Sequence, residues 1–283
     1  MSQNTQDYVK WFRQSSPYIN AFRGKTFVVM LPGDAIAHSN FSNIVHDLAL
    51  LNSLGVRLVV VHGARPQIEA RLNEQGINTQ FHAGLRITEA THIPLIAQAI
   101  GEARINIEAA LSTGLPNSPM HGAHLRVSSG NYVIAKPQGV IEGIDYQHTG
   151  LVRRIDTKGL RSAIDNGDIA LVSPVGYSPT GEVFNVSYAD VATQIAISLQ
   201  AEKLITFIEQ EGVSKDGQGL IRQLTLATCA QHIEHLKDKP AHGTRLALSA
   251  CLKACEHGIP RSQIISFTED GALLKELFTR DGA

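Results

Sequence analysis

Cysteine is scarce in this sequence: Cys229, Cys251 and Cys255 are the only three in 283 residues. That count excludes a disulfide framework and suits a reducing cytoplasm. Cys251 and Cys255 stand four apart in a helical pattern, yet no further Cys or His lies at ligand spacing. They read as small core hydrophobes, and no metal site is expected. Neither sign of charge is in excess, with 25 Lys and Arg against 26 Asp and Glu and a formal net charge of -1. Without a basic run there is no electrostatic case for nucleic acid or an anionic membrane as partner. The sequence also has no apolar signal core at its start and no uninterrupted apolar stretch of membrane-spanning length, so the cytoplasm is the expected location. Neither common nucleotide fingerprint, G-x-x-x-x-G-K-[ST] or G-x-G-x-x-G, occurs.

What is present is ordinary globular material, 43% hydrophobic and 18% charged. Its length fits one large α/β domain or two small ones. Thr26-Phe27-Val28-Val29-Met30-Leu31 reads as a buried strand ending in the turn Pro32-Gly33-Asp34, with a helix beginning near Asn40-Phe41-Ser42. Ahead of it, residues 4 to 22 carry Tyr8, Val9, Trp11, Phe12, Tyr18, Ile19 and Phe22 at roughly helical spacing, and Pro17 is expected to break or kink that helix. Residues 1–24 are therefore set apart as an N-terminal helix from an α/β domain over 25–283. Packing on that domain is the commoner role for such an aromatic stripe, and a contact with a neighbouring subunit is the sharper one.

The helical pattern over 41–54 stops at Gly55 and leads to a strand over 56–61, which ends at His62-Gly63-Ala64-Arg65-Pro66. A helix follows over 67–75. Arg86, in Gly84-Leu85-Arg86-Ile87-Thr88, stands in a loop where its fork suits a carboxylate ligand, although a surface salt bridge is the commoner explanation of a lone arginine. Thr88 is the expected N-cap of a long helix over 89–111. Short alternating stretches punctuated by glycine over 122–154 predict hairpins that cover one edge of the sheet. Then come a helix (158–165), a strand (169–172), a loop (173–182), and a helix (185–199) whose start faces the ligand crevice. A strand (203–208), a turn (214–219), helices (227–236 and 244–257), a strand (263–267) and a short helix (272–278) complete the chain. A loose acetyl-CoA-type pattern at 98–103 sits inside a helix, away from any strand-to-helix turn, and is read as chance. His232 and His235 around Glu234 lack metalloprotease spacing.

Taken in order, Val59-Val60-Val61-His62-Gly63, Gly84-Leu85-Arg86-Ile87-Thr88, Asn185 with Ala189-Asp190, Ala201-Glu202-Lys203-Leu204-Ile205 and Glu276-Leu277-Phe278-Thr279 resemble the motifs of the amino-acid kinase family, in particular its N-acetylglutamate branch. The resemblance covers residues 26 to 283. It implies an α/β, amino-acid kinase-like three-layer sandwich: a central, mostly parallel sheet, helices on both faces, and an extra N-terminal helix. In the kinases of that family, two lysines stabilise charge on the transferring phosphoryl group and an aspartate organises them. Asp190 keeps the aspartate, but the lysine positions are Met30 and Ala247. Pro32 stands where a glycine N–H would donate, and a Gly-Gly-Gly-Pro turn has become Gly63-Ala64-Arg65-Pro66. Phosphoryl transfer rests on positioning and electrostatic stabilisation, so no kinase activity is expected, and Arg245 alone would not restore it. Met30, Gly33, Gly63, Arg86, Asn185, Asp190 and Ala247 are thereby marked as a vestigial kinase and amino-acid pocket.

The phrases over 27–31, 63–68 and 270–282 resemble more narrowly the bacterial N-acetylglutamate synthases, in which a kinase-like domain precedes an acetyltransferase domain. That resemblance implies a regulatory, kinase-inactive unit without a cofactor or catalytic residue of its own. The parent enzyme would acetylate L-glutamate with acetyl-CoA in the first step of arginine biosynthesis. Its partners would be L-arginine as feedback inhibitor, further copies in a homo-oligomer joined through the N-terminal helix, and a C-terminal acetyltransferase domain. The sequence ends where that domain would begin, which reads as an excised unit rather than a natural standalone form. The implied arginine site comprises Tyr18, Lys203, Gln263, Glu276 and Gly282. Glu276 would pair with a guanidinium or ammonium group, and glycine would permit close backbone approach. Gln263 stands where arginine-sensitive kinases usually have histidine. On their own, Tyr18 reads as packing and Glu276 as a solvated helix face. Two readings compete: a surviving N-acetylglutamate kinase, and an oligomerisation scaffold that binds nothing.

Overall fold

The structure is a computed structural model that describes residues 3–114, 120–214, 219–237 and 241–280. It begins with α1 (Gln3–Phe22), which runs unbroken through Pro17. Proline removes one N–H from the ladder, but Pro17 and Arg13, whose carbonyl loses its partner, are both exposed. Water can satisfy that carbonyl, so the expected break does not occur. Next come β1 (Thr26–Leu31), α2 (Gly33–Ala37), α3 (Phe41–Ser53), β2 (Arg57–His62) and α4 (Arg65–Glu74). A small hairpin, β3 (Phe81–His82) and β4 (Leu85–Arg86), precedes a 3-10 turn (Ala90–His92) and α5 (Ile93–Leu111). Thr88 does not cap that helix. Its buried hydroxyl instead accepts from Thr149 Oγ1 at 2.9 Å and from Asn185 Nδ2 at 3.1 Å, while Pro94 supplies a preset φ in the first turn of α5.

The middle of the chain departs most from expectation. β5 (Val127–Ser129) joins the main sheet in parallel beside a later strand instead of forming a covering hairpin. β6 (Val133–Pro137), the hairpin β7 (Val140–Ile141) with β8 (Ile144–Asp145), and β9 (Thr149–Ile155) follow, then α6 (Thr157–Asp165) and β10 (Ile169–Val172). The stretch expected to be loop contains β11 (Val175–Tyr177), and Asn185 lies in β12 (Val183–Val186) rather than in a helix. β6, β9, β11 and β12 close into a small barrel. Ser187 caps α7 (Tyr188–Leu199), accepting from Asp190 N–H. β13 (Lys203–Ile208), α8 (Leu226–His235), α9 (His242–Glu256), β14 (Arg261–Ser266) and α10 (Ala272–Phe278) complete the described chain. The turn expected at 214–219 lies largely outside the described residues.

Six strands form the central sheet in the order β14-β13-β1-β2-β10-β5, and every neighbouring pair is parallel. Helices cover both faces, which is the three-layer sandwich implied by the resemblance. Because side chains alternate along a strand, β1 divides its residues between two cores. Phe27, Val29 and Leu31 pack with Ile205, Phe207 and Ile265 beneath α1, α3 and α10. Val28 and Met30 pack with Val59, Val61 and Leu204 beneath α6, α7 and α9. The same parity, carried across the parallel register, puts Lys203 and Gln263 on the α1/α10 face.

Candidate functional site

A cavity of about 440 Å³ opens at the carboxyl ends of β1, β2 and β13, where doubly wound sheets place ligands. Two glycines shape its floor. A Cβ on Gly33 would stand 2.7 Å from Pro66 Cδ, and one on Gly63 would stand 3.0 Å from Gly33 N. The two strand-end turns therefore nest against each other, with Gly63 N–H donating to Leu31 O at 2.7 Å and Gln67 Nε2 to Gly33 O at 2.8 Å.

Positive charge in this cleft is already engaged. Arg86 is 6% exposed, and its Nη2 lies 2.6 Å from Glu69 Oε1 while Nη1 donates to the Thr79 hydroxyl. The Arg86 and Arg65 guanidinium groups both lie over the Phe81 ring, 4.7 and 4.4 Å from its centre. Burial first, then Arg65 and Arg245, push the His242 imidazole below its ordinary pKa and toward its neutral form. Asp34 and Glu209 line the same space and add negative charge. Gly33, Gly63, Arg86 and Asn185 thus come together, but Met30, Asp190 and Ala247 do not line the cavity. Met30 and Ala247 are fully buried, and Asp190 Oδ1 accepts from Lys253 Nζ at 3.0 Å. No local spacing links positions 190 and 253; only the packing of α7 on α9 brings that lysine to the aspartate.

The other predicted residues gather around Phe22, at the opposite ends of the strands. Lys203, the first residue of β13, is 5% exposed, and its ammonium lies 5.3 Å from the centre of the Phe22 ring. Burial first and then Arg261 lower its pKa, with Glu276 and Glu202 opposing them. Gln263 Nε2 donates to Glu276 Oε1 at 2.5 Å, while the buried Gln263 Oε1 has no hydrogen-bond partner. Tyr18 stands 6.3 Å from Phe22, ring to ring, and Phe22 meets Phe27 and Phe278 edge-on. Gly282 lies outside the described residues. Reasoning from the sequence passed over Arg261, although it sits opposite Lys203 in register and two residues before Gln263, hence on the same face.

Among the described residues, no helix is long and apolar enough to cross a membrane, and no group of three or more His, Cys, Asp or Glu could hold a metal ion.

The chain is 56% identical over 278 residues to the amino-acid acetyltransferase of Azotobacter vinelandii and 53% identical over 276 residues to that of Pseudomonas syringae pv. syringae. Each alignment takes in 98% of this chain and 63% of the relative, so the chain spans less than two thirds of the length of these proteins. Its fold superposes on N-acetylglutamate synthase from Neisseria gonorrhoeae complexed with coenzyme A and L-arginine at a TM-score of 0.89 and 34% identity, covering 97% of this chain and 64% of that one. A carbamate kinase from Giardia, at 13% identity and a TM-score of 0.62, shares the fold alone. A sequence model of the amino acid kinase family matches residues 25–266, most of the length, and together with the six-stranded parallel sandwich this establishes that the chain belongs to the amino acid kinase family.

Proposed function

We propose that the chain is the arginine-binding, kinase-silent regulatory unit of an amino-acid N-acetyltransferase, whose parent protein acetylates L-glutamate with acetyl-CoA in the first step of arginine biosynthesis. The observation that carries this reading is the half-completed polar set beneath α1 and α10. Glu276 offers a carboxylate, Gln263 Oε1 is a buried acceptor without a donor, and Lys203 stands beside them. A guanidinium group supplies N–H donors in a fixed fork and would satisfy both acceptors, while the Lys203 ammonium suits the ligand's α-carboxylate. The likeness to a synthase solved with L-arginine supports the same assignment.

Acetyl transfer and the coenzyme would belong to the part of the relatives that this chain does not span. Further copies of the chain would join through α1, which exposes Trp11 and Phe12. For a kinase, by contrast, the arginines of the cleft are engaged, and the two positions where the resemblance puts cations are Met30 and Ala247, buried away from the cavity, so no ATP-dependent release of ADP with N-acetylglutamate is expected. Equilibrium dialysis with labelled L-arginine tests the proposal. Saturable binding should appear, and Glu276→Ala should weaken it about tenfold or more, as loss of a charge-assisted hydrogen bond does. Absence of saturable binding at millimolar arginine would remove the reading.

A further inference from the structure

A separate cavity of about 310 Å³ opens between the middle of α3 and the turn that leads into α10. Its lining residues include Asn43, His46, Asp47, Leu50, Asp270 and Leu274, none of them from the Glu276 site. Asp47 is only 8% exposed and lies on the same face of α3 as the core residues Ile44, Leu48 and Leu51. Neither the Asp47 nor the Asp270 carboxylate has a hydrogen-bond or ion-pair partner among the described residues, and the charge of Asp270 opposes ionisation of Asp47. Lys275, the lysine nearest Asp270 in sequence, is engaged by Glu269 at 3.0 Å. The arrangement is also pinned. Asn40 Nδ2 donates to Phe267 O at 3.0 Å and to Glu269 O at 3.1 Å, and Asn43 Nδ2 donates to Asn40 Oδ1 at 2.8 Å. The carboxylates are therefore held near each other by bonds that involve neither of them.

Buried carboxylates are ordinarily paired or hydrogen-bonded, because desolvation without compensation is costly. A built cavity around an unpaired one asks for a cation. No group of three or more His, Cys, Asp or Glu able to hold a metal ion occurs among the described residues, and the cavity has room and apolar wall at Ala49, Leu50, Ala123 and Leu274. We propose that this cavity binds an organic cation, an ammonium or guanidinium group on a short aliphatic stem, with its head between Asp47 and Asp270 and its stem against Leu50 and Leu274. Burial, and then Asp270, push Asp47 up to about 7, so the Asp47 carboxylate is mostly ionised only above that pH.

Thermal unfolding of the whole 283-residue chain at about pH 8.5, titrated with n-butylammonium chloride, tests this. Sodium chloride at matched ionic strength and magnesium chloride serve as controls. The amine should raise Tm saturably by about 3 °C or more. Asp47→Asn should abolish the rise, Asp270→Asn should diminish it, and Glu276→Ala should leave it intact. Asp47→Asn removes a buried charge, so the variant is expected to fold. A rise that sodium chloride reproduces, one that survives Asp47→Asn, or an Asp47-dependent rise with magnesium alone would overturn the proposal. Sedimentation of the same samples identifies the natural source. If the cation is a side chain of a second copy, the amine lowers the mass of the wild-type protein but not of Asp47→Asn; if it is a free small molecule, the mass is unchanged while the Tm rise remains.

Discussion

Met30 stands where the family resemblance puts a phosphate-facing lysine. It is fully buried among Val28, Val59 and Val61, beneath α7, and not at the edge of the cleft. Met30→Lys is therefore expected to place an ammonium in an apolar core, destabilise the chain by about 3 kcal/mol or more, and produce no ATP turnover. Urea unfolding and an ADP-release assay check the two halves. Asp47 gives a prediction in pH. Its ordinary value of 3.8 is raised to about 7 in the folded chain, so the folded state holds a proton that the unfolded state has released between those values. That contribution to stability is full below 3.8 and is lost as pH rises through about 7. Asp47→Asn should flatten this fall and leave the variant the more stable at about pH 8, by an amount on the order of 4 kcal/mol at most. A pH series of urea midpoints measures it. At this scale the sequence names Lys203 and Gln263 only through the family resemblance, and the parallel register is what puts them on one face. Partners distant in sequence, such as Glu69 for Arg86 and Lys253 for Asp190, are opaque to it.

At the scale of elements, long apolar strands and helices with clear stops are readable from residue pattern alone. β1, β10, β13 and α10 fall where the pattern puts them, because each buries both faces or a full stripe. β5, β11 and β12 are three or four residues long and owe their state to pairing across the sheet and the barrel, which local periodicity does not encode. Thr88 has the local pattern of a cap, but Thr149 and Asn185 compete for the same hydroxyl and win. In α1, Pro17 leaves the helix intact while still removing an N–H. Pro17→Ala is accordingly expected to raise stability by about 1 to 3 kcal/mol, seen as a higher urea midpoint with greater helical circular dichroism. In α10, Leu277 is 2% exposed within the core that seats Glu276. Leu277→Ala should cost about 2 to 5 kcal/mol and weaken arginine binding as the helix loosens.

At the scale of the whole molecule, the two candidate sites lie at opposite ends of the strands, one at the carboxyl-end cleft and one beneath α1 and α10. A sensor needs only the second, provided that two arrangements of domains or subunits bind the ligand with unequal affinity. The fold is legible in the sequence because ordered motifs run along nearly the entire chain, whereas the proposed division of labour between the two ends rests on which residues are buried and which remain unsatisfied, and burial is not encoded in local pattern. One calorimetric comparison tests that division directly: separate titrations of the same protein with L-arginine and with magnesium ATP. Saturable heat with L-arginine, reduced by Glu276→Ala, and none with magnesium ATP is the predicted result. Saturable heat with magnesium ATP and none with L-arginine would contradict it.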